Sequence, residues 1–147
     1  MDTANPDTAA SQVAAVLDRL NASDYEPIAD YAIVGDCRSA ALVSRRGSID
    51  WLCLPDFSSP SVFAALLDRR RGGRFLLSPR NAGKIERRYV GRTAVLETTF
   101  RCADGVLQVT DFMPMPRAAE GEPRRLIRRA ECLEGRVTVD VVFQPRP

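Results

Sequence analysis

Residues Ile33 to Leu67 read IVGDCRSAALVSRRGSIDWLCLPDFSSPSVFAALL, and this stretch decides the fold. Three short aliphatic runs, Tyr31 to Val34, Ala40 to Ser44 and Ile49 to Leu54, are separated by turn-forming residues, the pattern of successive antiparallel strands. Arg45, Arg46 and Gly47 join the last two as a hairpin, with Gly47 supplying the positive φ that such a turn needs. After Pro60, the residues Val62, Phe63, Leu66 and Leu67 recur at three to four positions. That spacing predicts a helical turn over Ser61 to Asp68, ended at Gly72 and Gly73.

Strand signals continue downstream at Arg74 to Leu77, Ile85 to Val90, Val95 to Cys102, Val106 to Phe112, Leu126 to Leu133 and Val137 to Phe143. Turns are expected at Ala103-Asp104-Gly105 and at Glu134-Gly135. In the last strand Val137, Val139, Val141 and Phe143 share one face, and Arg136, Thr138 and Asp140 the other. Met113 to Pro123, with three prolines, reads as a long surface loop. Short strands at this spacing with almost no helix predict a mainly β protein, an antiparallel β-sandwich with one short helix. Residues 1–24 read as a flexible or helical tail, with Val13, Val16, Leu17 and Leu20 at helical spacing, and residues 25–147 as the domain.

A chain of 147 residues with 45% apolar content supports one real core. No apolar run reaches the roughly 20 residues of a membrane span, and Met1 to Ser11 lacks the basic and apolar regions of a secretory signal, so a cytoplasmic location without membrane contact is expected. The four cysteines form no Cys-x-x-Cys pair and there is no histidine, which argues against a zinc site and predicts reduced, buried thiols. Without histidine, Ser-His-Asp and Cys-His chemistry is excluded as well, and any chemistry would rest on carboxylates. Two arginine clusters, Arg69, Arg70, Arg71 and Arg74, then Arg124, Arg125, Arg128 and Arg129, stand without an aromatic platform. They read as solvated surface or a domain interface, not as a nucleic-acid site.

The order of three motifs, Gly35-Asp36-Cys37-Arg38-Ser39-Ala40-Ala41-Leu42-Val43, Gly47-Ser48-Ile49-Asp50-Trp51 and Pro55-Asp56-Phe57-Ser58-Ser59-Pro60, resembles the opening of glycoside hydrolase family 15, the bacterial glucoamylase, glucodextranase and trehalase-like enzymes. Thr110-Asp111-Phe112-Met113-Pro114 extends the resemblance, which covers about Tyr25 to Phe143. It implies a trehalase-like N-terminal β-sandwich that precedes a helical (α/α) barrel carrying the catalytic glutamates. The partner implied is that barrel, with an α-glucoside such as trehalose or a maltooligosaccharide as the ligand of the whole enzyme. No cofactor or metal is implied, and the chain alone is expected to be inactive. Members commonly read Pro-Arg-Phe-Asp-Ser-Pro where this sequence has Asp56 and Ser58, which puts any sugar contact of that loop in doubt.

No residue here matches a catalytic motif of that family. Inverting glycoside hydrolysis needs two carboxyl groups roughly 6.5 to 9.5 Å apart, and Asp36, Asp50, Asp56 and Asp111 are the candidates by type, each more simply read as a turn or strand-end hydrogen-bonding group. Together with Arg38, Trp51 and Phe57 they form the candidate set for loops facing a substrate or a barrel. Strand alternation places Asp50 and Trp51 on opposite faces, with Trp51 as a core anchor beside Ile49 and Cys53. A free-standing carbohydrate-binding or protein-interaction module is the alternative.

Overall fold

The computed structural model describes Ser11, Ala14 to Val16, Asp18 and residues 25–115 and 123–146. The first five are helical; Val13, Leu17 and Leu20 of the expected tail helix, and most of the expected loop Met113 to Pro123, lie outside the described residues. After a single 3-10 turn at Ile28–Asp30, ten strands follow: β1 (Tyr31–Gly35), β2 (Ala40–Ser44), β3 (Ser48–Cys53), β4 (Ser61–Phe63), β5 (Arg74–Pro79), β6 (Lys84–Tyr89), β7 (Leu96–Cys102), β8 (Gly105–Phe112), β9 (Ile127–Gly135) and β10 (Val139–Gln144). They form two antiparallel sheets, β1-β2-β3-β5-β10 with β4 beside β3, and β6-β7-β8-β9. The predicted β-sandwich is what the chain forms.

Alternation dictates which side chains fill the interior. One part of the core joins Val34, Ala41, Val43, Ile49, Leu52 and Phe63 to Leu96 of the facing sheet and to Met113, just past the end of β8. The other joins Leu77 to Phe100, Leu107 and Val109, with Val137 and Val139 packed against it. Outside, β6 and β7 carry ion pairs, Arg88–Glu97 at 2.6 Å and Arg101–Glu86 at 3.2 Å, as expected of a face turned to water.

The β2–β3 hairpin forms as expected: Gly47 has φ +83°, and a Cβ there would sit 2.4 Å from the Leu77 carbonyl oxygen. The helical turn expected over Ser61 to Asp68 does not form. Ser61–Phe63 pairs with the end of β3 instead, and turns follow. Eight residues cannot nucleate a helix without tertiary support, and here the backbone is claimed elsewhere. Ala64 N–H donates to Gly72 O and Ala65 N–H to Gly73 O, while the Asp68 carboxylate accepts from the Arg70 and Arg71 amides. Gly135 of the turn expected at Glu134-Gly135 has φ +62° at the end of β9, and residues 136–138 then carry the chain across to β10 in the other sheet.

The two lateral sides of the sandwich differ. Beside β1, Tyr89 Oη donates to Ile33 O at 2.9 Å and accepts from Ile33 N–H at 3.0 Å, so a β6 side chain closes the edge strand. Arg87 adds hydrogen bonds to Asp30 O and Val43 O. Beside β9 and β10 no further strand pairs among the described residues, and Val141 and Phe143 are about 60% exposed (58% and 61%) although they share the inward face of Val139.

Candidate functional site

Four of the candidate residues come together at one end of the sandwich. The β1–β2 turn is built by Asp36, whose Oδ1 accepts from the Arg38 and Ser39 amides at 3.0 and 2.8 Å, an arrangement that lets Cys37 hold φ +68°. The β3–β4 loop packs beside it: Phe57 N–H donates to Arg38 O at 3.0 Å, and the Ser39 hydroxyl to Cys53 O. Within that loop the Leu54–Pro55 peptide is cis, and Ser59 closes on Asp56 through Oγ and N–H. Ser59 therefore stabilises a turn. Arg124, arriving before β9, donates to the other oxygen of Asp36 at 3.2 Å.

The result is a pinned loop cluster in which Arg38 is exposed, Phe57 is 63% exposed and Asp56 is half-buried. Asp36 is buried and fully engaged, so it positions this cluster and is not free to act as a base.

Asp50 and Trp51 lie elsewhere, and the expectation for them is corrected. A bulge between β2 and β3 sets Val43 opposite Ile49 but Ala41 opposite Leu52, so Asp50 and Trp51 together face Leu42. The extra residue shifts the alternation, and Leu52 takes the core position expected for Trp51. Trp51 is half-buried outside both core clusters. Asp50 is buried; it accepts from Tyr31 Oη at 2.7 Å and from the Ser48 hydroxyl, and its backbone carbonyl accepts from the Leu66 amide. Burial, then the Asp50 charge, raises the Tyr31 pKa far above the usual phenol range. Arg74, buried nearby, donates to Arg69 O at 2.9 Å, and burial lowers its pKa while Asp50 opposes that shift.

Asp111 is a core residue and not part of any open site. Arg128 grips it with Nε at 2.7 Å and Nη2 at 3.2 Å, both side chains being 1% exposed. The same guanidinium donates to Phe75 O and Gly47 O and lies 4.9 Å from the centre of the Phe75 ring. One arginine thus ties β9, β8, β5 and the β2–β3 turn together.

The reading of the arginine clusters as solvated surface is wrong for Arg74, Arg124 and Arg128, which are internal or nearly so. For Arg128 the sequence held a signal, since it shares a strand face with Ala130 and Cys132, opposite Val109 and Leu107 of the core. The cysteines are free, but only Cys53 is buried; Cys37 and Cys132 are exposed.

These arrangements leave the buried carboxylates committed to structural partners. Among the described residues no group of three or more metal-ligating side chains forms, and no helix is long and apolar enough to cross a membrane. Two shallow depressions, of about 290 and 400 Å³, lie at the far end around Pro79 and Arg80 and are lined by none of the candidate residues.

The described residues thus form an antiparallel β-sandwich with a hydrogen-bonded loop cluster at one end. The family described as "Trehalase-like, N-terminal" matches residues 18–147, and the chain belongs to it. It is 35% identical to a trehalase of Mycolicibacterium smegmatis over 139 residues, 84% of this chain and 20% of that protein. A trehalase of Thermoplasma volcanium is 32% identical over 124 residues, 82% of this chain and 20% of the relative. Trehalase 2 of Sulfolobus acidocaldarius is 40% identical over 86 residues, 58% of this chain and 14% of the relative. The chain spans about a fifth of the length of the first relatives it matches. No solved structure gives a significant match.

Proposed function

We propose that this chain is the accessory N-terminal domain of a family 15-like glycoside hydrolase of the trehalase type, and that it packs against a catalytic helical (α/α) barrel and helps shape its substrate entrance. The family match across residues 18–147, with relatives named trehalases of which the match covers only 20%, is the observation that carries this reading. Hydrolysis belongs to the barrel, which supplies the general acid and base, while this chain by itself is inactive. Its contribution is the loop cluster of Asp36, Arg38, Asp56 and Phe57, rigid enough to present a charge and a ring at fixed positions. Arg38 and Phe57 face the barrel or its α-glucoside; Asp50 and Asp111 hold the fold. A cytoplasmic location is part of the proposal, and the free thiols of all four cysteines fit a reducing compartment.

The test exchanges domains. This chain replaces the matched N-terminal fifth of the Mycolicibacterium smegmatis trehalase, and trehalose hydrolysis is compared with the same enzyme lacking that fifth. Restored turnover, lowered at least several-fold by Phe57→Ala or Arg38→Ala without loss of folding, is expected. A folded fusion with no more activity than the truncated enzyme would refute the proposal.

A further inference from the structure

The side of the sandwich formed by β9 and β10 is unfinished in a specific way. β10 pairs with β5 on one edge and β9 with β8 on one edge; among the described residues neither has a strand on its other edge. Inward-facing apolar side chains remain in water there. The Phe143 ring centre lies 5.1 Å from that of Phe75 and 5.8 Å from that of Phe63, yet the residue is 61% exposed. Val141 is 58% exposed on the same face, and across the gap Ala130 and Cys132 of β9 are exposed as well. The opposite lateral side is closed by Tyr89 and Arg87, so an open edge is not a general property of this fold.

Free edges of this kind accept strands, and natural sheets usually guard them with inward charges, prolines or bulges. The inward face of β10 carries only Val139, Val141 and Phe143. The strand ends at Gln144; Pro145 follows, and the Arg146 amide donates to Val62 O at 2.9 Å, on the side of β4.

We propose that the β9–β10 side is a strand-accepting site, and that its occupant is an alternating apolar β-strand from the polypeptide that accompanies this domain in a trehalase-length protein. The proposal rests on the accessory-domain reading above. The occupant adds main-chain hydrogen bonds to β10 and sets its apolar side chains beside Val141 and Phe143, over Ala130, with polar residues alternating outward. The relatives supply about four fifths of their length as such polypeptide. A tethered strand acts at an effective concentration in the millimolar range, which a second copy of the chain reaches only at far higher protein concentration.

Hydrogen exchange separates the possibilities. Amides of Val139–Gln144 are followed in the isolated chain and in the trehalase fusion described above. Exchange slower by roughly 100-fold in the fusion, and restored to its fast rate by Val141→Lys, is the expected result. Fast exchange at β10 in a fusion that hydrolyses trehalose overturns this proposal and leaves the functional reading intact. Slow exchange in an inactive fusion does the reverse. Concentration-dependent dimers of the isolated chain, protected at β10 and unchanged in the fusion, would assign the edge to a second copy and overturn the proposal. A second measurement does not depend on the fusion folding. An alternating Val/Thr octapeptide is appended after Pro147 through a short Asn-Gly linker, and the urea midpoint is compared with the same tail carrying Ser for Val. A higher midpoint for the Val tail supports the site, and equal midpoints overturn it.

Discussion

Asp111→Asn removes a charge from the centre of the sandwich without changing its shape. In the native protein the Arg128 guanidinium has two carboxylate contacts, at 2.7 and 3.2 Å, and two backbone carbonyls as partners. The amide oxygen of Asn retains one contact, but the guanidinium is left buried with no compensating charge. Removing one partner of a buried pair costs about 3 to 5 kcal/mol, and the retained hydrogen bond places this variant near the lower figure, about 3 kcal/mol. That is a large part of the about 5 to 15 kcal/mol that holds a domain of this size together. Urea unfolding followed by the fluorescence of Trp51, the single tryptophan, reads the loss directly as a lower midpoint at unchanged slope. The double variant Arg128→Met with Asp111→Leu removes both charges and is expected to recover at least half of the loss. A single-variant loss under about 1 kcal/mol, or a double variant no more stable than the single, refutes the account. A substrate-facing Asp111 predicts the former.

Three further outcomes follow from the geometry. Trp51→Ala is expected to cost less than about 2 kcal/mol, because the half-buried indole lies outside both core clusters; a loss of 3 kcal/mol or more in urea unfolding would return it to the core. The Tyr31 hydroxyl has a folded pKa raised above its usual 10.0, so its contribution is fully present below about pH 10 and fades as the pH climbs beyond it. Tyr31→Phe is therefore expected to lose about 1 to 2 kcal/mol at neutral pH and to show a shallower decline above pH 10 than the parent, and parallel curves would count against this. Gly72→Ala forces a Cβ to within 2.2 Å of the Ala64 carbonyl carbon and oxygen, an overpacking cost of about 1 to 3 kcal/mol, checked by thermal unfolding, where an unchanged midpoint would show that the 64–72 segment yields freely.

What the sequence determined by itself was local and periodic. Alternation and turn chemistry located β1, β2, β3 and β5 to β10 within a few residues, because a strand with one buried face writes its period of two into the chain. Gly47 could be assigned its positive φ in advance for the same local reason. Tertiary structure decided the rest. The apolar spacing of Val62, Phe63, Leu66 and Leu67 fits a helix, but pairing of Ser61–Phe63 with β3 claims the backbone, and Leu67 ends 69% exposed. A bulge that no spacing announced turned Trp51 out of the core and Leu52 into it. Arg128 and Asp111 are 17 residues apart, and Asp36 and Arg124 are 88 apart; only the folded chain makes them partners. Residue type says that a carboxylate wants a donor, but burial and long-range pairing decide which one it finds. The open β9–β10 edge belongs to the same category, since strand order is a property of the assembled sheets.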